Sequence, residues 1–268
     1  MDLGLANATA VVSGGTSGMG RATAECFAAD GARVAVLGRG RERLDETVAA
    51  LRRLGSPDVV GLAVDVGEGE AVAAAFAGLG ARWGCLNILV TTVGPSSVGT
   101  IDELADADWE AAVNLGLMSA MRCVRAALPW LRKAEWARIV HVSAHSTKRQ
   151  HPRLIAYTAA KAGLTSMSKN LAKTLAPEGI LVNTVSPGTF LSGSVKAWME
   201  QIAPARGIDP TNLEDVNRII REDYGSPCDL GRAGRPEEIG AVIAFLASRR
   251  NSYMTGANVN VDGGSDFT

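Results

Sequence analysis

Thr9-Ala10-Val11-Val12-Ser13-Gly14-Gly15-Thr16-Ser17-Gly18-Met19-Gly20-Arg21-Ala22-Thr23-Ala24-Glu25 opens the chain and decides how the rest is read. The stretch starts as a short apolar run and ends as a helical pattern, with glycines in the turn between. A bound pyrophosphate needs backbone N–H donors, a helix N-terminus and no side chain in its way. Glycines 14, 18 and 20 meet that need, Thr16 and Ser17 add hydroxyl donors, and Met19 lies in the same turn. A glycine-rich string alone says little. One that follows a strand and opens a helix is the context in which it binds phosphate.

The same alternation continues along the chain. Runs at 9–13, 33–37, 59–64, 87–91, 138–143, 180–185 and 258–261 read as strands, most of them apolar throughout. Unbroken apolar strands belong to a parallel sheet covered on both faces. Helical patterns fill 18–30, 41–54, 68–83, 106–133, 156–175 and 236–248. This predicts an α/β fold, a single domain over 1–268 built on a doubly wound parallel sheet of about seven strands. The segment 192–234 breaks the rhythm. Lying after the sixth strand, it is expected to be a substrate lid; an oligomer contact or a mobile surface loop is the other reading. Its Trp198, Met199, Ile202 and Tyr224 suggest an apolar pocket wall and a hydrophobic substrate.

Composition narrows the function classes. With 268 residues, 47% hydrophobic and 21% charged, and a formal net charge of −1, nothing points to a nucleic-acid or membrane partner. The four cysteines, Cys26, Cys85, Cys123 and Cys228, form no C-x-x-C pair and no metal-ligand spacing with His141, His145 or His151. Free thiols in a reducing cytosol are the expectation, with no metal. The N-terminus lacks the pattern of a signal peptide, and no apolar stretch approaches the ~18 residues of a membrane span. The expected location is the cytoplasm.

The end of the second strand speaks to the cofactor. A carboxylate there would bond a ribose 2′-OH and repel a 2′-phosphate. This chain has Gly38-Arg39-Gly40-Arg41 instead. Arg39 can pair with phosphate through its planar fork, which favours NADP(H) over NAD(H). The alternative is that Arg39 and Arg41 merely begin a solvated helix.

Tyr157-Thr158-Ala159-Ala160-Lys161 begins a later helix and sets tyrosine and lysine one turn apart on one face. Reducing a carbonyl needs an acid for the developing alkoxide, and a phenol of pKa ~10 suits neutral pH poorly. A neighbouring ammonium favours the phenolate and corrects the mismatch.

Together these motifs resemble the short-chain dehydrogenase/reductase family over nearly the whole chain, in its 3-oxoacyl-reductase-like subgroup. The resemblance implies a Rossmann-type fold and hydride transfer between a nicotinamide and a carbonyl or secondary alcohol. It implies Tyr157 as general acid/base and Lys161 as the residue that tunes it and binds ribose. Trp109 to Leu115 resembles the helix carrying the family's catalytic asparagine, here Asn114, which supports a proton relay to Lys161. Asp65 and Val66 match the pair that contacts adenine. Asn183-Thr184-Val185-Ser186-Pro187-Gly188-Thr189-Phe190-Leu191-Ser192 resembles the segment that seats the nicotinamide, with Pro187, Gly188, Phe190 and Ser192 at its contacts. Gly234 to Ile239 and Val261 to Gly264 match the C-terminal pattern. A homodimer or homotetramer is also implied, through the helices at 106–133 and around Tyr157.

Two departures stand out. Thr91-Thr92-Val93-Gly94 replaces the family's N-N-A-G, with Thr91 and Gly94 expected to keep the cofactor contact. The catalytic serine's place, 13 residues before Tyr157, holds Ala144. Ser143, His145 or Ser146 is expected to supply the substrate hydrogen bond, or the enzyme works without it; a step along a strand turns Ser143 to the opposite face. The altered motifs also motivate a second reading, an NADP(H) sensor with little turnover.

Overall fold

The structure is a computed structural model, described for residues 2–95, 97–223 and 228–265. Seven strands form one sheet: β1 (Thr9–Ser13), β2 (Arg33–Gly38), β3 (Val59–Ala63), β4 (Ile88–Thr91), β5 (Ala137–Val142), β6 (Ile180–Pro187) and β7 (Asn258–Val261). Their order is β3-β2-β1-β4-β5-β6-β7, with every pairing parallel. In β1, β2, β4 and β5 successive side chains alternate between two buried layers, which is why both phases of those runs are largely apolar, whereas β7 reads Asn-Val-Asn-Val and is half-buried. Ala10, Val12, Ile88, Val90 and Val140 join one core with Phe27, Leu51 and Ile243, whereas Val11, Leu89 and Ile139 join the other with Phe76, Leu131 and Leu175.

The first core lies under α1 (Gly18–Ala29), α2 (Arg41–Arg53) and α9 (Pro236–Leu246). The second lies under α3 (Gly69–Trp83), α5 (Ser119–Leu131) and α6 (Ile155–Leu175). The stretch expected as one helix over 106–133 is divided. Its parts are α4 (Asp106–Val113), a π-helical turn (Asn114–Met118) and α5. Such a turn carries one more residue than an α-helical turn, so it shifts the helix face within an unbroken helical pattern. Here Gly116 lies against α6: a Cβ at this position would stand 2.8 Å from that of Ala160.

The excursion after β6 holds α7 (Gly193–Arg206) and α8 (Leu213–Asp223). It has a core of its own, made by Val195, Met199, Ala203, Ile208, Val216, Ile219, Ile220 and Ala233.

Strand order reverses between β1 and β4, and in such sheets ligands bind beyond the carboxyl ends of the strands at that reversal. Ser13 pairs with Leu37 on one side and Thr91 on the other. The glycine-rich turn, Gly38 and Thr92 therefore emerge side by side at the switch point.

Candidate active site

In the turn after β1, Gly14 and Gly20 leave no room for a Cβ, and Gly14 and Gly18 have positive φ. Gly14 has φ +76°, and a Cβ there would lie 2.5 Å from Thr92 Oγ1. A Cβ on Gly20 would fall on the Gly14 carbonyl. Gly18, φ +50°, faces Ser192, whose Cβ is 3.9 Å from where its own would be. The first intrahelical bond of α1 runs from Arg21 N–H to the Ser17 carbonyl, so the amides before it point into the turn. Ser17 is the exposed N-cap, yet its hydroxyl makes no capping bond, and the first turn holds no Asp or Glu. The positive end of the helix is left for an external anion. Thr16 rests on Gly38, where a Cβ would be 2.8 Å from its methyl group, and this brings exposed Arg39 beside the turn.

Thr92 is a site residue that the motif reading passed over. Its hydroxyl donates to the Ser13 carbonyl at 2.8 Å and pins the turn to β4. Thr91 does otherwise than expected. It is 3% exposed, and its hydroxyl is bonded at 2.7 Å to Nδ1 of buried His141 on β5, so its side chain is spent on the sheet. Burial, with the Lys161 charge nearby, pushes His141 down to about 3 and keeps it neutral.

Lys161 is fully enclosed in the second turn of α6. Its Nζ donates to the carbonyls of Val142, at 2.8 Å, and Val93, at 3.2 Å. Val142 ends β5 and Val93 follows β4, so the ammonium is held where the chain leaves these two neighbouring strands. Burial pushes its pKa down to about 8. Half-buried Tyr157 stands one turn before it. Gly94 leaves space beside both: a Cβ there would lie 3.3 Å from Lys161 Nζ and 3.8 Å from Tyr157 Cε2.

Asn114 opens the π-turn, and its backbone carbonyl accepts from the Ser119 amide. Its side-chain carbonyl accepts from Arg122 at 2.6 Å, and its amide nitrogen lies beside Gly67. Among the described residues no hydrogen bond joins it to Lys161. Gly67 follows Asp65 and Val66; the exposed Asp65 carboxylate accepts from the Gly67 amide at 2.8 Å, and Val66 is buried.

The three candidates around Ala144 have separate surroundings. Ser143 is turned to α6, bonded at 2.6 Å to the Thr165 hydroxyl and at 3.2 Å to the Lys161 carbonyl. Its expected catalytic place is corrected by strand alternation, which sends it into the helix-covered layer. Ser146 is buried, and its oxygen accepts from the Thr158 hydroxyl at 3.0 Å. His145 is half-buried, with Nδ1 3.1 Å from the Pro187 carbonyl.

The profile of the family described as enoyl-(acyl carrier protein) reductase matches residues 14–266. The chain belongs to the short-chain dehydrogenase/reductase family. Within that family, 3-oxoacyl-[acyl-carrier-protein] reductase FabG of Thermotoga maritima is 31% identical over 255 residues, 95% of this chain and 96% of the relative. L-sorbose reductase from Gluconobacter frateurii, solved with NADPH and L-sorbose, superposes with a TM-score of 0.92 at 30% identity, covering 100% of both chains. An NADPH-bound short chain oxidoreductase from Pseudomonas aeruginosa PAO1, described as containing an atypical catalytic center, superposes with a TM-score of 0.88 at 32% identity over 97% of each chain. Short-chain dehydrogenases/reductases are oxidoreductases, and the seven-stranded sheet is the family's Rossmann-type fold.

The family's segment after β6 also departs in detail. Gly188 must be glycine, since a Cβ would lie 2.8 Å from Asp262 Cα, and its amide donates to the Val261 carbonyl. Phe190 was expected at the cofactor, but its ring is 6% exposed and packs on Gly234, so only its backbone can face the cleft. The ring joins the core under α1, α2 and α9. Ser192 caps α7, its hydroxyl accepting from the Val195 amide at 3.3 Å.

Met199, expected as pocket wall, is 1% exposed inside the α7–α8 core, and Trp198 and Ile202 pack on that core. Tyr224 lies outside the described residues. These apolar residues pair with one another, so they are no measure of substrate polarity. A cavity of about 490 Å3 between α7, α8 and the start of α9 includes Leu191, Val195, Met199, Glu200 and Arg235 in its lining, but neither Tyr157 nor Lys161. Among the described residues no helix is long and apolar enough to cross a membrane, and no group of three His, Cys, Asp or Glu is placed to hold a metal.

Proposed function

We propose that this protein is an NADP(H)-dependent oxidoreductase that interconverts a carbonyl compound and a secondary alcohol, with Tyr157 as general acid/base. The observation that carries the reading is Lys161, buried where the chain leaves β4 and β5, with Tyr157 one turn away and Gly94 keeping the adjoining space clear. NADPH bound to the L-sorbose and Pseudomonas relatives supports the cofactor class.

The open cradle fits a dinucleotide. Gly14, Thr16, Ser17, Gly18 and Met19 would hold its pyrophosphate, Arg39 its 2′-phosphate, Asp65 and Val66 its adenine. Gly94, Tyr157 and Lys161 would face its nicotinamide ribose, and Pro187, Gly188, Ser192 and the Phe190 backbone its nicotinamide. When bound, NADP(H) supplies or accepts the hydride at the substrate carbon. In reduction Tyr157 gives its phenolic proton to the substrate oxygen; in oxidation it takes the hydroxyl proton. The Lys161 ammonium stabilises the phenolate that reduction leaves. Asn114 would contribute to the relay from the π-turn. The lid role of α7 and α8, and a homodimer or homotetramer through the α4, α5 and α6 surfaces, are further parts of this reading.

The Lys161 charge gives a pH dependence. Its depressed pKa means that the ammonium is present below about 8 and lost above it. The kcat/KM for carbonyl reduction is therefore expected to fall as pH rises through that value. A pH–rate profile with NADPH checks this; a profile that stays flat to pH ~10, the range of free lysine, would remove Lys161 from the transition state.

Arg39→Ala is expected to weaken NADPH binding by about tenfold and leave NADH unchanged, the scale of one hydrogen bond to a charged group. Fluorescence titration with both cofactors reads the ratio, and an unaltered ratio would withdraw the NADP(H) preference.

The whole reading is tested by following NADPH and NADH oxidation with L-sorbose, simple ketones and aldehydes, quinones and 3-oxoacyl thioesters, with Tyr157→Phe alongside. Turnover by the parent protein and its loss in the variant support the enzyme. NADPH binding without turnover of any of them supports the sensor.

A further inference from the structure

We propose that His145 supplies the substrate hydrogen bond that a serine at position 144 would give; the proposal rests on the oxidoreductase reading above. Ala144 offers only a methyl group, Ser143 is bonded into α6, and Ser146 is buried with Thr158 bonded to its oxygen. His145 alone of the three side chains keeps both partial exposure and an uncommitted polar atom. Its backbone is held by the amides of Lys148 and Arg149, both of which donate to its carbonyl. Its ring is held by the Pro187 carbonyl at the end of β6, next to Gly188. The imidazole is thus tied from the segment after β5 to the end of β6, one residue from the serine's place.

The anchor also fixes the ring's chemistry. A carbonyl only accepts, so Nδ1 carries the proton and Nε2 is the nitrogen left for a ligand. Among the described residues Nε2 has no hydrogen-bond partner. In the imidazolium form Nε2–H donates to the substrate oxygen, carbonyl or alcohol, while Nδ1–H keeps its bond to the Pro187 carbonyl. No covalent bond to His145 forms or breaks. The transferred proton still passes between Tyr157 Oη and the substrate oxygen, and His145 only orients and polarises that oxygen.

The test combines three variants and one spectroscopic measurement. His145→Ala is expected to lose about 30-fold in kcat/KM for whichever carbonyl of the panel the parent reduces, the worth of one charge-assisted hydrogen bond. NADPH affinity, read by fluorescence, should stay within about twofold of the parent. Adding Ala144→Ser to His145→Ala should recover most of the loss, because a hydroxyl is returned to the serine's place. A 15N–1H correlation spectrum of the unliganded protein should show His145, identified by its absence in His145→Ala, carrying a proton on Nδ1. Activity of His145→Ala within about threefold of the parent overturns the proposal. So does a loss that Ala144→Ser fails to restore, which assigns His145 to packing, or a ring without a proton on Nδ1. Absence of turnover by the parent protein overturns the oxidoreductase reading instead, so the two failures are distinct.

Discussion

Tyr157→Phe is expected to lower kcat for carbonyl reduction by about 1000-fold while NADPH binds as it does to the parent, since a positioned general acid contributes about 10²–10⁴ in rate. The substitution removes one oxygen and keeps the ring. Tyr157 is half-buried in the first turn of α6, a helix fixed from below by Ala156, Ala160, Lys161 and Leu164, all buried. Loss of the hydroxyl leaves that packing intact, so the thermal transition should move little. Lys161 is a less clean target. Replacing it would leave the Val93 and Val142 carbonyls without their donor, and an unsatisfied buried acceptor costs about 1–3 kcal/mol in stability on top of any loss in chemistry. Steady-state kinetics with a fluorescence titration of NADPH separate the outcomes. Unimpaired turnover in Tyr157→Phe would mean that the proton comes from a group other than Tyr157.

What the sequence discloses follows from how each feature is encoded. Parallel strands covered on both sides read as continuous apolar runs, so all seven strands and their order of alternation with helices are legible. The phosphate turn is legible because glycine is required where a backbone carbonyl or Thr92 leaves no room for Cβ. The π-turn at Asn114 is not, because one extra residue in a turn leaves the apolar pattern of 106–133 nearly unchanged; Gly116, where α6 comes close, was its one available signal. Thr91 and Thr92 look equivalent in a motif, yet strand alternation sends the first to His141 and lets the second return to Ser13. Side-chain partners across the sheet are tertiary facts, and a one-chain pattern does not carry them. The same holds for Met199: an apolar residue after β6 can face a ligand, its own element or both, and here it joins the α7–α8 core and also lines the cavity beside it.

Gly20→Ala should weaken NADPH binding by about 100-fold, although alanine is the better helix former by about 1 kcal/mol. Gly20 lies in the first turn of α1, and its backbone needs no glycine conformation. The requirement is spatial. A methyl group there meets the Gly14 carbonyl oxygen and lies 2.7 Å from Thr92 Oγ1, 2.9 Å from the Gly14 carbonyl carbon. Two of these atoms are backbone and the third is held by its bond to Ser13, so none can swing aside as the end of a flexible side chain would. The turn must move away from the helix, and its amides then lose their common direction. Overpacking of this kind costs about 1–3 kcal/mol, and at the upper end that is about 100-fold in affinity. Gly40→Ala is the matched control, because a Cβ there meets nothing within 4 Å. Titration of both variants with NADPH, beside their melting temperatures, distinguishes a displaced turn from general unfolding. A folded Gly20→Ala protein with parental NADPH affinity would place the pyrophosphate outside this turn.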